Sequence, residues 1–299
     1  MKILIVGLVE NSQMDRLRQE GNKRGHNIVG CYTGELTIRC ENGVFDPSLR
    51  GKKITDFDLI YLWAVGRRKW EWFTVSRYLA RNFGTIIVNK IVVDSSFRYN
   101  PSVTRDYLLQ AEGSIPFPKS VIILSSKSVG SVVSKFEFPL IVKSGESKQG
   151  KRVYKVNSLE ELREIVSELE KQNVPIVLRE FIPNDGDIRV FTVGYKAIGA
   201  MKRIPAGGEF RSNISVGGRG EQFDLKKYSE IKELAEKASK VLGVEIAGVD
   251  VMIHQKTGKK YILEVNVGPQ FTGLEKYTKI NVAAEIVKYF EKSFKRSGR

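Results

Sequence analysis

Ile246-Ala-Gly-Val-Asp-Val-Met-Ile-His254, followed after Gln255-Lys-Thr-Gly-Lys259 by Lys260-Tyr-Ile-Leu-Glu-Val-Asn266, is the stretch that decides the fold. Two apolar, β-branched runs flank a polar loop in which Gly258 permits a turn, which is the pattern of an antiparallel hairpin. Pairing His254 with Lys260 sets Asp250 opposite Glu264. Asn266, two residues on, shares their face because strand side chains alternate. Met252 and Ile262 are expected on that face too, partly drying it. Facing carboxylates repel, and a hard divalent cation such as Mg2+ or Mn2+ reverses that cost, with water and phosphate oxygens completing its shell. Ordinary surface acids on a solvent-facing hairpin are the alternative.

Upstream, residues 138–143 read as a strand ending in Lys143, then Ser144-Gly-Glu-Ser-Lys-Gln-Gly150-Lys151, then a second strand over 152–156. Residues 145–151 nearly match G-x-x-x-x-G-K. Arg152 stands where Ser or Thr is required, and a strand follows in place of a helix, so a P-loop is excluded. A glycine-rich strand-loop-strand remains, either folding its amides over an anion beside Lys143 or serving as a plain hairpin turn. A third stretch runs Arg179-Glu-Phe-Ile-Pro183, Asp185-Gly-Asp187-Ile-Arg189, Lys202-Arg203 and Arg211-Ser-Asn213. Its cations form an anion site if the chain gathers them, and a solvated basic loop if it does not.

The 299 residues suffice for about two domains. Lys and Arg number 49 against 34 Asp and Glu, a net charge of +15, yet 41% hydrophobic residues exclude a disordered polycation. Two cysteines, Cys31 and Cys40, and two histidines, His26 and His254, exclude a four-ligand zinc cluster and chemistry built on several histidines. No run of roughly 20 apolar residues and no cleavable leader is present, so no membrane association and a cytoplasmic location are expected. Strands at 2–9, 27–32, 59–63 and 85–88, separated by helix-length segments, predict an open α/β sheet in the first hundred residues. Ser158 and Glu161 form a capping-box pattern, Gly243 ends a second amphipathic helix, and a last helix starts near Asn281.

Taken in order, Glu180-Phe-Ile, Asp187-Ile-Arg189, Arg211-Ser-Asn213, Gly248-Val-Asp250 and Glu264-Val-Asn266 resemble an ATP-grasp ligase. The branch is the one that includes ribosomal-protein glutamate ligase and the amino-acid ligases acting on an acidic carrier protein. The likeness is clearest over 139–290. It implies an N-terminal α/β domain over 1–98, then two α+β subdomains, 99–178 and 179–299, with the nucleotide between them. It further implies Lys143 at the nucleotide phosphates and residues 144–151, with Gly145 and Gly150, as a lid. Glu180, Phe181 and Ile182 would hold adenine and Asp187 the ribose. Arg211, Ser212 and Asn213 would lie near the γ-phosphate, Asp250, Glu264 and Asn266 would bind metal, and Arg203 would meet the acyl substrate. One departure stands out: where relatives commonly carry a further nucleotide-binding lysine, this chain has Ser102, with Arg98, Arg105 and Lys119 as candidate substitutes.

The chemistry implied is attack of a carboxylate on the γ-phosphorus of ATP, giving an acylphosphate, and displacement of phosphate by an amine. Arg189 or Arg203 would steady the oxyanion of that second step. The positive charge suits an acidic protein, peptide or small-molecule acceptor, and an amino-acid substrate fits the family. Two rivals remain. One is a nucleic-acid-binding protein on an idle scaffold, for which Arg67-Arg-Lys-Trp70-Glu-Trp72-Phe73 offers rings that can stack on bases, against the plainer reading of core or dimer contact. The other is an ATP-grasp kinase. Nucleic acid is not the expected partner, and a homo-oligomer is compatible with the sequence.

Overall fold

A computed structural model describes residues 1–90, 108–145, 152–207 and 218–298. The N-terminal part contains β1 (Lys2–Val6), β2 (Asn27–Cys31), an antiparallel trio of β3 (Leu36–Glu41), β4 (Val44–Leu49) and β5 (Lys52–Lys53), then β6 (Leu59–Leu62) and β7 (Ile86–Val88). Strands β2-β1-β6-β7 form a wholly parallel sheet covered on both faces, hence the continuous apolar runs at 3–6 and 59–62. Helix α1 (Ser12–Asn22) starts at Asn11, whose side chain accepts the Gln13 and Met14 amides at 3.0 and 2.9 Å. Helix α2 (Lys69–Phe83) ends at the left-handed Gly84.

Two expectations need correction here. The segment between 32 and 59 is not helical but holds the β3-β4-β5 sheet. Its outer strand is almost wholly exposed, so the buried-face alternation that announces a strand is weak there. Trp72, offered as a stacking ring, is fully buried, and its Nε1 donates to the Thr33 carbonyl at 3.0 Å. Trp70 alone of the pair reaches solvent, edge-on to Phe73.

The middle sheet is antiparallel: β8 (Ser120–Ile123), β9 (Leu140–Ser144), β10 (Val153–Val156) and β11 (Ile176–Glu180), in the order β10-β9-β11-β8. Helix α3 (Leu159–Glu170) lays Leu162, Val166 and Leu169 on Leu140, Val142, Ile176 and Leu178. Ser158 Oγ accepts the Glu161 amide at 3.2 Å. The Glu161 carboxylate reaches past it to the Asn157 amide at 2.7 Å, so the cap is shared with the preceding residue. The opposite face of this sheet carries Lys143, Lys155 and Arg179.

The largest sheet is β12 (Asp187–Val193), β13 (Lys196–Ile204), β14 (Arg219–Phe223), β15 (Ile246–Ile253) and β16 (Lys260–Val267), all antiparallel in the order β14-β13-β12-β15-β16. Helix α4 (Ser229–Val241) covers one face, where Ile231, Ala235 and Ala238 meet Val190, Val249 and Val251. On the other face Phe191 and Met201 join a core built from α5 (Thr272–Thr278), α6 (Val282–Arg296) and the N-terminal sheet. Ile3, Ile5 and Tyr61 lie there with Ile286, Val287 and Phe290. The first and last segments of the chain therefore share one core. No helix among the described residues is long and apolar enough to cross a membrane.

In the decisive hairpin the tip closes one residue earlier than expected. Ile253, not His254, faces Lys260, and the His254 amide donates to the Lys259 carbonyl at 2.9 Å. A bulge between Asp250 and Val251, where the partner strand carries the extra residue Leu263, then restores Asp250 opposite Glu264. Below the bulge the faces exchange. Ile262 pairs with Val251 and is fully buried in the core under α4, not on the carboxylate face, because one extra residue flips the alternation.

Candidate active site

Four charged side chains converge on the face of the large sheet turned away from α4. Asp187 and Arg189 sit two apart on β12; Asp187 is in register with Arg203 of β13, and Arg189 with Asp250 of β15. Arg189 donates to both Asp250 oxygens, Nε to Oδ1 at 2.7 Å and Nη2 to Oδ2 at 2.6 Å. Arg203 does the same to Asp187, Nε to Oδ1 at 2.6 Å and Nη2 to Oδ2 at 2.5 Å, while its Nη2 also lies 2.9 Å from Asp250 Oδ2. Two carboxylates and two guanidiniums thus alternate in one neutral, buried chain, with bidentate geometry at each end. Each fork leaves its Nη1 edge without an acceptor among the described residues.

Electrostatics separates the two acids. Burial works against ionisation of Asp250, but Arg189 and Arg203 together outweigh it and hold that carboxyl below its ordinary range. Burial pushes the Asp187 carboxyl up, with the opposing pull of Arg203 and a further push from Asp250. Arg203, despite burial, is fixed in its charged form by the two acids. Gly248, in register with Phe191 beside Arg189, leaves room for that side chain. A Cβ there would lie 3.4 Å from Arg189 Cδ and 2.9 Å from Pro269 Cβ.

Glu264 and Asn266 complete the face from β16. Asn266 Nδ2 points at the Gly248 carbonyl, 3.2 Å, and at Asp250 Oδ2, 3.4 Å, which leaves Oδ1 as its acceptor atom. Asp250, Glu264 and Asn266 present hard oxygens on one side, and a carboxylate oxygen keeps a second lone pair after accepting from an arginine. This donor set fits a hard divalent cation better than a soft one. Among the described residues no cluster of three His, Cys, Asp or Glu offers another metal site.

The middle sheet meets β16 through Arg179. Lys143 lies opposite Val153 and Val177, and the same face carries Lys155, two residues along β10. Lys155 Nζ stands 4.1 Å from the centre of the Phe181 ring. Arg179 stacks on Phe117 at 4.3 Å, donates to Ser120 Oγ at 3.0 Å, and reaches the carbonyl of the bulge residue Leu263 at 3.5 Å, tying the two sheets together. At the end of β11, Glu180 pairs with Lys119 in both directions: its amide donates to the Lys119 carbonyl at 2.9 Å and its carboxylate accepts the Lys119 amide at 2.7 Å. Ile182 is buried beside it.

The structure thus gathers Asp187, Arg189, Arg203, Asp250, Glu264 and Asn266 on one face, and places Lys143, Gly145, Glu180, Phe181 and Ile182 along the middle sheet and the segment that follows β11. Asp187, expected at a ribose, has both oxygens on Arg203. Gly150, Arg211, Ser212 and Asn213 lie outside the described residues, as do Arg98, Ser102 and Arg105. Lys155 and Arg179 carried no assigned role. Counting register from Lys143 opposite Val153 would have put Lys155 on the lysine's own face.

Comparison with known proteins gives the family. Residues 103–290 match the RimK-like ATP-grasp domain. A probable alpha-L-glutamate ligase from Xanthomonas oryzae pv. oryzae is 31% identical over 317 aligned residues, spanning 99% of both chains. The fold resembles ATP-grasp ligase PsnB complexed with a phosphomimetic variant of its minimal precursor, Mg and ADP, with a TM-score of 0.71 and 17% identity over 98% of each chain. D-alanine–D-alanine ligase from Bacillus anthracis, complexed with ATP, gives a TM-score of 0.68 at 17% identity, covering 99% of this chain and 98% of that one. The chain is therefore an ADP-forming carboxylate–amine ligase and belongs to the RimK-like ATP-grasp family.

Proposed function

We propose that this ligase joins the amine of an amino acid, glutamate or one like it, to a carboxyl group of an acidic protein, peptide or small molecule. ATP is consumed with Mg2+, or Mn2+ in its place. The observation that carries the reading is the alternating chain Asp187, Arg203, Asp250, Arg189 beside Glu264 and Asn266. The named relative supports glutamate as the amino acid, and the net charge of +15 supports an acidic acceptor.

Phosphoryl transfer needs positioning and charge neutralisation more than covalent help from the protein. In this reading Glu180, Phe181 and Ile182 take the adenine end and Lys143 the phosphates, with Gly145 and Gly150 assigned there by the family resemblance alone. Arg211, Ser212 and Asn213, outside the described residues, are assigned to the γ-phosphate by the family resemblance alone. Asp250, Glu264 and Asn266 would hold the divalent cation, which supplies positive charge against the triphosphate oxygens. The acceptor carboxylate attacks the γ-phosphorus and ADP leaves; the amine then adds to the acylphosphate carbonyl, phosphate departs, and an amide remains. The Nη1 edges of Arg189 and Arg203, without an acceptor among the described residues, suit the oxyanion of that addition, where fixed cations lower the barrier most.

The test is an ADP-release screen of glutamate and other amino acids with acidic peptides in Mg2+, with products weighed by mass spectrometry. A mass gain of one amino acid less one water, lost in Glu264→Ala, is the expected result. A phosphorylated product with no amide would make the protein a kinase instead.

A further inference from the structure

Helix α2 opens on Lys69 and Trp70, and the turn that feeds it carries Arg67 and Arg68. Arg67, Arg68 and Trp70 are exposed, the ring at 56%, whereas Trp63 and Trp72 are buried. The adjoining turn adds Tyr32, 60% exposed, and Arg68 lies over it, its Cζ 3.6 Å from where a Cβ on Gly34 would stand. Glu35 of that turn is already taken by Arg50, at 2.9 and 2.8 Å. Neither Arg67 nor Arg68 has an acidic partner among the described residues, and Glu71 is the single acid in the first turn of α2. Positive charge at a helix start opposes the helix dipole, so three successive cations there weaken α2. Folding does not account for them. The patch is also continuous with the catalytic rim: its loop begins at Trp63, whose carbonyl presses on the backbone of Gly268, two residues after Asn266. Chain reach holds Arg67 within about 25 Å of Asn266.

We propose that this face of the N-terminal sheet docks an acidic, extended segment of the acceptor peptide or protein. Its carboxylates lie on Arg67 and Arg68 and its side-chain stems on the Trp70 and Tyr32 rings, while the reacting carboxyl reaches the catalytic face no more than about eight extended residues away. Charge complementarity selects the occupant, since the patch offers unpaired cations and an acidic segment offers their counterparts. Single-stranded nucleic acid needs successive rings along a basic groove. Here Trp70 stands with Phe73 edge-on against it at 6.1 Å. That the docked segment belongs to the acceptor rests on the ligase reading; that an acidic segment binds does not.

The test uses the full chain and glutamate peptides of about four and about twelve residues, one shorter and one longer than the span from patch to site. Binding of the long peptide is followed by acrylamide quenching of tryptophan fluorescence, which reports Trp70 because Trp63 and Trp72 are buried. The peptide should shield Trp70. Arg67→Glu with Arg68→Glu should weaken its binding by at least about tenfold. Lys292→Glu with Lys295→Glu, the same charge change at exposed positions of α6, should weaken it by less than about twofold at physiological salt. Equal losses in the two variants, or no shielding, overturn the proposal. Shielding by a uridine oligonucleotide and not by the peptide gives the face to nucleic acid and overturns it too, as does self-association in sedimentation that the Arg67 and Arg68 reversal abolishes while peptide affinity stays. In the turnover arm the wild type has a lower KM for the long peptide than for the short one. The reversal at Arg67 and Arg68 should erase that advantage and leave kcat, KM for ATP and turnover of the short peptide unchanged; an advantage that persists overturns the proposal. Should the reversal fail to fold, Arg67→Ala with Arg68→Ala is carried through both arms. A wild type that turns over neither peptide would count against the acceptor reading alone, and the quenching arm would still decide whether the face binds an acidic segment.

Discussion

Arg189 lies directly across the β12-β15 ladder from Asp250 and takes both oxygens of its carboxylate, at 2.7 and 2.6 Å. Both side chains are largely buried, so neither charge can be stranded cheaply.

Arg189→Ala should therefore lower stability by about 3 kcal/mol and activity by at least about a hundredfold. The pH response follows from the direction of the Asp250 shift. Its folded value lies below the ordinary 3.8, so its contribution is present above that value and is lost as pH falls through the folded one. Without Arg189 the folded value rises, and acid unfolding should begin at a higher pH than in the wild type. Denaturant midpoints at pH 7 and an acid titration followed by circular dichroism check both halves; an unchanged acid transition would contradict them.

Gly268, two residues after Asn266, sits at φ 70° with its backbone against Trp63, where a Cβ would lie 1.9 Å from the Trp63 carbonyl oxygen. Gly268→Ala should push the loop after β16 off the N-terminal sheet. The left-handed backbone alone costs about 1 kcal/mol, and the collision adds to it. Weaker binding of Mg-ADP by calorimetry is expected together with a lower melting temperature. Normal binding in a destabilised protein would show that the loop does not register Asn266.

Glu245, 2% exposed, receives the Tyr289 hydroxyl at 2.6 Å and the Lys90 amide at 2.7 Å. Burial pushes its carboxyl up, more than those two bonds and the Lys90 charge pull it down. A raised acid contributes stability that is complete below its unfolded value, near 4.5, and that is lost as pH climbs through the folded value. Wild type should thus lose stability relative to Glu245→Gln between pH 4.5 and neutrality. Parallel denaturant titrations across that range test it, and two curves of constant separation would refute it.

Trp72→Ala should cost about 3–5 kcal/mol, since it empties a buried site and leaves the Thr33 carbonyl without its donor. Trp70→Ala, at an exposed ring, should change stability by less than about 0.5 kcal/mol. If Trp70→Ala abolished salt-resistant RNA binding, the nucleic-acid reading would return.

Alternation made Asp250, Glu264 and Asn266 legible, because period 2 along two adjoining strands leaves little freedom once the turn is placed. The register there was reached through two departures that cancel, an earlier tip and a bulge at Leu263, and Ile262 between them shows the cost. The pairing of Arg189 with Asp250 and of Asp187 with Arg203 was not legible. It depends on which strands become neighbours, and β12 lies between β13 and β15 for reasons of sheet topology that no local pattern carries. The β3-β4-β5 sheet escaped because a strand exposed along most of its length buries no face to announce it. Helix α6 was legible as an amphipathic stripe, but the identity of its apolar partner, some 280 residues away, was not.

That partnership has a consequence for the newborn chain. Ile3 and Ile5 of β1 wait for Ile286, Val287 and Phe290, so one side of the first sheet emerges from the ribosome uncovered and stays so through nearly the whole of synthesis. A chain stalled before residue 282 would leave part of that apolar face open to its neighbours, the kind of surface through which incomplete chains associate.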